Sequence, residues 1–297
     1  MDISVIIVSY NTQELIAKCL KSAKSAIQNL NFNVEVFVVD NNSKDGTVAE
    51  IKKKFPCVNL IINRENLGFS KANNIALKGA KGKYFLILNP DTEVQYDTFS
   101  KMYKFMEKNP ETGIATCRVE LSSGTLDRDC RRHFPSPWRA FTHFSGLSKI
   151  FKGSTIFDQY YYGYLKDDKQ HEIDACVGAF MFVRADAVKK VGYFDEDFFF
   201  YGEDLDWCWR FAEAGYKIVY TPVTKILHHK GAASGMKPAS QHLTKATKES
   251  KKRALYESVH AMELFYKKHY TDKYPFLINW IVLISLKILE RIRVMSA

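Results

Sequence analysis

The run Ile3-Ser4-Val5-Ile6-Ile7-Val8-Ser9-Tyr10-Asn11 is apolar and mostly β-branched, then turns abruptly polar. A stretch of this length that stops on Ser-Tyr-Asn reads as a strand buried on both faces and ending in a loop. It has no basic leader and no small-residue cleavage site, so the expectation is a core strand, not a secretion signal. The same pattern returns twice: Val34 to Val39 runs into Asp40-Asn41-Asn42-Ser43, and Tyr84 to Leu88 runs into Asn89-Pro90-Asp91.

Helical spacing fills the intervals. Leu15, Cys19, Ala23 and Ile27 mark one helix, Gly46 to Phe55 a second and Ser70 to Gly79 a third, with a short strand at Val58 to Ile62. Strands alternating with helices predict an α/β fold, Rossmann-like, with a mostly parallel central sheet and helices on both faces. In such sheets ligands gather beyond the carboxyl ends of the strands. All three polar clusters fall at that edge.

Composition sets outer limits. The 297 residues, 46% hydrophobic, suffice for one large domain plus an appendage, with the boundary expected at residues 240/241. Lys and Arg number 43 against 33 Asp and Glu, a formal charge of +10 that suits phosphate-bearing ligands or an anionic membrane surface. No nucleic-acid module accompanies the charge, so no nucleic acid partner is expected. Cys19, Cys57, Cys117, Cys130, Cys176 and Cys208 are scattered without a C-x-x-C pair, which argues against a disulfide framework or structural zinc and fits a reducing cytoplasm.

Two segments stand apart. Ser122 to Lys169 gathers Arg128, Arg131, Arg132, His133, Trp138 and Tyr160-Tyr161-Tyr162, either a binding surface or an aromatic mini-core with a basic rim. After Gly235 come a Lys-rich helix, Lys245 to Tyr270, and the apolar run Phe276 to Leu286, with Lys287, Arg291 and Arg293 beyond it. The run falls short of the ~20 residues that span a bilayer. It reads as an interfacial helix on anionic lipid, with packing on the domain or against a second copy in a homodimer as the alternatives.

Five motifs in order carry a family resemblance: Val8-Ser9-Tyr10-Asn11, Val38-Val39-Asp40-Asn41-Asn42-Ser43, Asn66-Leu67-Gly68-Phe69 with Asn73-Asn74, Leu88-Asn89-Pro90-Asp91, and Gly202-Glu203-Asp204 with Trp209-Arg210. Over about the first 235 residues the chain resembles family 2 glycosyltransferases of the GT-A fold, and in particular their rhamnosyltransferase-like branch. The resemblance implies an inverting, metal-dependent sugar transfer from a nucleotide diphosphate donor to a glycan or lipid-linked acceptor. Thymidine diphosphate rhamnose is the first donor it suggests and uridine diphosphate hexoses the next. It also implies work at the cytoplasmic face of the membrane, in cell-surface polysaccharide synthesis.

The resemblance distributes roles over the chain. Ser9, Tyr10, Asn11, Asp40, Asn42, Asn66, Gly68, Lys71, Asn74 and Asn89 would face the nucleotide and donor. Asp40, at a strand end, can accept a hydrogen bond from the imide nitrogen of uracil or thymine. Asp91, where the family usually carries Asp-x-Asp, and His228, ahead of a small-residue loop, would hold Mg²⁺ or Mn²⁺. A hard cation needs only one or two carboxylates once substrate phosphates and water complete its shell. Asp204 would be the base that takes the proton of the acceptor hydroxyl, with Glu203 beside it; Lys230 would meet the leaving group. Asp174, Gly178, Ala179, Tyr201 and Trp209 would line the acceptor side. Competing readings are a sugar-phosphate nucleotidyltransferase, disfavoured by the lack of a Gly-rich basic loop after the first strand, and a glycan-binding protein without turnover.

Overall fold

The computed structural model describes residues 1–28, 30–231 and 248–295. The Gly235 boundary, the start of the Lys-rich helix, and Ala232, Ala233 and Ser234 of the small-residue loop lie outside these residues. So does the expected domain boundary at 240/241.

The opening run is β1 (Ile3–Ser9), buried at every position, as a strand covered on both faces must be. It pairs in parallel with β2 (Val34–Asp40) on one side and β4 (Tyr84–Leu88) on the other, while β3 (Asn59–Ile62) extends the parallel half beyond β2. Helices α1 (Gln13–Ile27), α2 (Thr47–Lys54) and α3 (Gly68–Gly79) make the crossovers. α1 buries Leu15, Ile16, Cys19, Leu20, Ala23 and Ala26, the stripe its spacing predicts.

The other half of the sheet is mixed. After β4 come β5 (Thr92–Val94), α4 (Thr98–Lys108), β6 (Thr112–Leu121), α5 (Pro137–Phe144), α6 (Leu147–Ile150), β7 (His171–Ile173), β8 (Phe180–Arg184), α7 (Ala185–Val191), α8 (Glu203–Glu213) and β9 (Lys217–His228). The strand order is β3-β2-β1-β4-β8-β6-β9-β5, with β7 also on β9. β8 runs antiparallel to both β4 and β6, whereas β6 and β9 are parallel.

Register in this half builds the site. β5 returns from the β4 loop and pairs with β9 so that Thr92 faces His228, while β6 places Leu121 opposite the same histidine. A turn at Gly124 then folds the chain back, and the Asp127 N–H donates to the Val119 carbonyl at 2.8 Å. Asp91, Asp127 and His228 are thereby delivered to one place from three strand ends.

The C-terminal α9 (Lys248–His269) docks on α8, and α10 (Phe276–Met295) packs on α9. Phe198 and Trp209 form a second apolar cluster with Ala261, Phe265, Tyr266 and Tyr270. His269 Nε2 meets Asp206 Oδ1 at 2.8 Å, and Lys268 bonds Asp195 and Asp197 at 2.6 Å each. α9 is thus packed onto the rest of the fold through the helix that carries Asp204.

Candidate active site

Ser9 and Asp40 end adjacent strands in register. Asn11 and Asn42 adopt φ of 53° and 65°, a left-handed conformation that asparagine tolerates better than most residues. That geometry locks the two loops together. The Asn11 N–H donates to Ser43 Oγ at 2.8 Å and the Lys44 N–H to Asn11 Oδ1 at 2.7 Å. Ser9 bonds Thr12 through their hydroxyls at 2.8 Å, and Tyr10 stands exposed at the edge. Asp40 is fully buried: Oδ2 accepts the Ser43 N–H at 2.9 Å, while Oδ1 has no partner among the described residues. Asp45 is the residue that bonds the start of α2, accepting the Thr47 N–H at 3.1 Å.

Several donor-facing and acceptor-facing expectations meet a different geometry. Gly68, at φ 82°, is close not to open space but to Phe199, whose carbonyl oxygen would lie 2.5 Å from an added Cβ. Asn66 Oδ1 accepts the Gly68 N–H at 3.0 Å within the loop, and the Phe69 N–H donates to the Phe199 carbonyl at 2.7 Å, which fastens the loop to the segment before α8. Asn74 is buried with its amide spent on Phe194 and Glu196, which makes it a clamp on that same segment. Lys71 is exposed. Asp174 accepts from His133 Nδ1 and the Phe134 N–H, both at 2.9 Å, and from Tyr162 Oη at 3.3 Å; it anchors the 122–169 insertion. Trp209 packs against Phe134 at 4.7 Å between ring centroids and against α9, so it joins α8 to the C-terminal helices. Ala179 is fully buried, its carbonyl accepting the Asn89 N–H. Tyr201, half-buried at φ 75°, packs at a tilt of 50° against Phe200 directly before α8.

At the other end of the edge, Asp91 and His228 come together. His228 Nε2 lies 3.4 Å from Asp91 Oδ1, and both side chains are 5% exposed or less. Nδ1 of the same ring meets Asp127 Oδ2 at 2.9 Å, and the other Asp127 oxygen accepts from Lys230 Nζ, which also bonds Asp129. Burial works against charge on His228, but Asp91 and then Asp127 outweigh it and hold its pKa up at about 9. Burial likewise opposes ionisation of Asp127, yet His228 and Lys230 keep its carboxyl below the usual range.

This donor set suits a hard cation bound together with a diphosphate. A carboxylate oxygen and an imidazole nitrogen stand side by side, the nitrogen becoming a ligand once an incoming cation displaces its proton, and a second carboxylate orients the ring from behind. Among the described residues no group of three His, Cys, Asp or Glu forms a ready-made site, so phosphate oxygens and water would have to complete the shell. Asp127 carries no signal in a motif. The hint available was its place after Ser122-Ser123-Gly124-Thr125, a turn signature at a strand end.

Asp204 occupies the first turn of α8, 6% exposed. Its Oδ2 accepts from Arg132 Nη2 at 2.7 Å and from the Gly178 N–H at 3.2 Å, while Oδ1 accepts the Leu205 N–H at 2.7 Å. Glu203 is also buried, and Oε2 has no partner among the described residues. Burial and then the charge of Asp204 push its carboxyl up to about 8. Glu203 therefore holds a proton at neutral pH, beside an Asp204 carboxyl that has the Arg132 guanidinium against it.

A cleft of about 410 Å³ opens next to the Asp91–His228 pair, lined by Asp127, Asp129, Lys230, Arg128 and Tyr161 among others. Asp40, Asp91 and Asp204 do not line it. Asp204 contacts Arg132 and Gly178, Asp91 contacts His228 and through it Asp127, and Asp40 bonds Ser43; the three side chains do not converge on this one cavity.

Residues 4–192 match the family described as Glycosyl transferase family 2. An N-acetylglucosaminyl-diphospho-decaprenol L-rhamnosyltransferase of Mycobacterium tuberculosis is 27% identical over 247 residues, covering 80% of this chain and 78% of its own. Rhamnosyltransferase WbbL of Escherichia coli is 27% identical, covering 76% of this chain and 82% of its own. The mannosyltransferase PcManGT from Pyrobaculum calidifontis, solved with GDP-Man and Mn²⁺, superposes with a TM-score of 0.57 at 18% identity, over 99% of this chain and 72% of that one. The fold is GT-A. With the family match extending from β1 through α7, over well more than half of the sequence, the chain belongs to glycosyl transferase family 2 and is a glycosyltransferase.

Proposed function

We propose that this protein transfers a sugar, with inversion, from a nucleotide diphosphate donor to a hydroxyl of a glycan or lipid-linked saccharide in cell-surface polysaccharide synthesis. L-Rhamnose from dTDP-rhamnose is the first donor to test and UDP-hexoses are the second, a choice supported by the names of the two rhamnosyltransferase relatives. The observation that carries the reading is the buried Asp91–His228 pair, held 3.4 Å apart at the end of β9.

In this reading Asp40 accepts the imide N–H of the donor base through the oxygen that Ser43 leaves open. Asp91 and His228 would hold Mg²⁺ or Mn²⁺, which would supply positive charge against the departing diphosphate. Lys230 lies close enough to add a second positive charge there. Asp204 takes the proton of the acceptor hydroxyl as that oxygen attacks the anomeric carbon. Arg132 and the Gly178 N–H fix the carboxylate in place, and protonated Glu203 leaves it the single base.

A panel of nucleotide sugars screened by thermal shift with and without Mn²⁺ tests donor and metal together, because a matching donor binds only the folded chain and raises its melting point. NMR of the product then reads the anomeric configuration. Donor binding without transfer to any saccharide would favour the glycan-binding reading, and retention of configuration would remove Asp204 as the base.

A further inference from the structure

α10 has two unlike faces. The inner face is fastened to α9: Val282 and Leu283 join the apolar cluster of Trp209 and Phe265, Tyr266 Oη donates to Asn279 Oδ1 at 2.8 Å, and Arg293 bonds Ser258 Oγ at 2.9 Å. The outer face is apolar and bare. Leu277, Trp280, Ile281, Ile288 and Ile292 are each between 50% and 64% exposed. At 3.6 residues per turn they fall on one stripe along the helix. No described residue of the chain covers it.

We infer that this stripe is a membrane-docking surface that lies in the headgroup layer of an anionic bilayer. Its neighbours indicate the occupant. Lys287 and Arg291 are exposed, and at 100° per residue both lie along the Trp280 edge of the stripe, while Glu290 projects to the far side. An apolar face bordered by cations, with an indole among them, matches an interface where acyl chains meet anionic headgroups. A contact between protein copies gives no reason for cations along one edge. Among the described residues no helix is long and apolar enough to cross a membrane, so α10 would lie on the surface. Because α9 is packed on Trp209 of α8, docking α10 would also set the orientation of the helix that carries Asp204. The inference does not depend on the donor or on turnover.

The test is co-flotation of the full chain with vesicles of phosphatidylglycerol and phosphatidylethanolamine, against vesicles of phosphatidylcholine alone. Binding to the anionic vesicles is expected, with a blue shift of indole fluorescence and weakening at high salt. The double variant Ile281→Glu, Ile288→Glu should lose binding roughly tenfold or more, since each buried aliphatic side chain contributes strongly. Its circular dichroism and donor-induced thermal shift should not change. Absence of flotation would overturn the inference, as would flotation that the double variant leaves intact. A dimer in light scattering that the same variant dissociates, with no vesicle binding, would assign the stripe to a second copy instead.

Discussion

Arg132 and Asp204 meet at 2.7 Å with side chains only 11% and 8% exposed. One belongs to the basic, aromatic insertion and the other to α8, so the insertion is wired to the carboxylate that the proposed mechanism needs. Arg132→Ala leaves that carboxylate buried with its counter-charge removed, which typically costs about 3–5 kcal/mol. Arg132→Lys should fall between: Nη2 alone bonds both Asp204 and the Cys176 carbonyl, and an ammonium keeps the charge but on a shorter side chain. Urea unfolding measures both; equal stability for all three proteins would show that the pair contributes nothing.

For Asp204→Asn the expected outcome is loss of transfer by roughly a hundred- to ten-thousandfold, the usual worth of a general base. An amide keeps one acceptor oxygen, for Gly178 and Arg132 or for Leu205 but not for both, and it accepts no proton. Donor-induced thermal stabilisation should survive. Near wild-type turnover would falsify the assignment.

Glu203 should write its own signature in the stability curve. Its folded carboxyl titrates at about 8, against 4.5 for the free side chain. The folded state therefore binds a proton that the unfolded chain releases, so stability falls as pH rises from about 4.5 through about 8. Glu203→Gln removes this dependence. The difference in unfolding free energy between variant and wild type should grow in the variant's favour across that window, by a few kcal/mol. Parallel curves from pH 4 to 9 would mean the carboxyl is not held neutral.

The parallel half of the sheet was legible because each strand is an apolar run with a polar stop, and burial on both faces leaves no other reading of Ile3 to Val8. The polar stops fall at one edge of the sheet for the same reason. What escaped was set by register. β5 is three residues long and β9 alternates weakly, yet their pairing is what brings His228 to Asp91. Asp127 is invisible for the same cause: its partner lies 101 residues away, and no local pattern records such a distance. Asn74, Asp174 and Trp209 were placed near ligands by resemblance, but each side chain is spent on packing one segment against another. A motif names residues that belong near a site without separating those that touch the substrate from those that hold the walls.

Gly68 illustrates the second kind. Its φ of 82° is strained for any side chain, and a Cβ would stand 2.5 Å from the Phe199 carbonyl oxygen, which also accepts the Phe69 N–H. Gly68→Ala should cost on the order of 1–3 kcal/mol from backbone strain alone. Displacing Phe199 should also lower transfer, because that segment leads directly into Glu203 and Asp204. A melting temperature within a degree of wild type would show that the loop yields freely and that the contact does not matter.

The last prediction concerns the carboxylate behind the histidine. Asp127 bonds His228 Nδ1, which leaves Nε2 directed at Asp91, and Lys230 balances the remaining charge. If His228 is a ligand, Asp127 fixes the ring that presents it, and second-layer carboxylates of this kind are typically worth ten- to a hundredfold in metal affinity. Mn²⁺ titrated into the protein with a nucleoside diphosphate, followed by electron paramagnetic resonance at fixed pH, separates this from a packing role. Asp91→Ala should weaken Mn²⁺ and diphosphate binding together, since it removes a ligand. Asp127→Asn should weaken Mn²⁺ ten- to a hundredfold while the fold, monitored by circular dichroism, stays intact. Mn²⁺ affinity unchanged in Asp127→Asn but lost in Asp91→Ala would confine the site to Asp91 and leave His228 as part of a buried charge network.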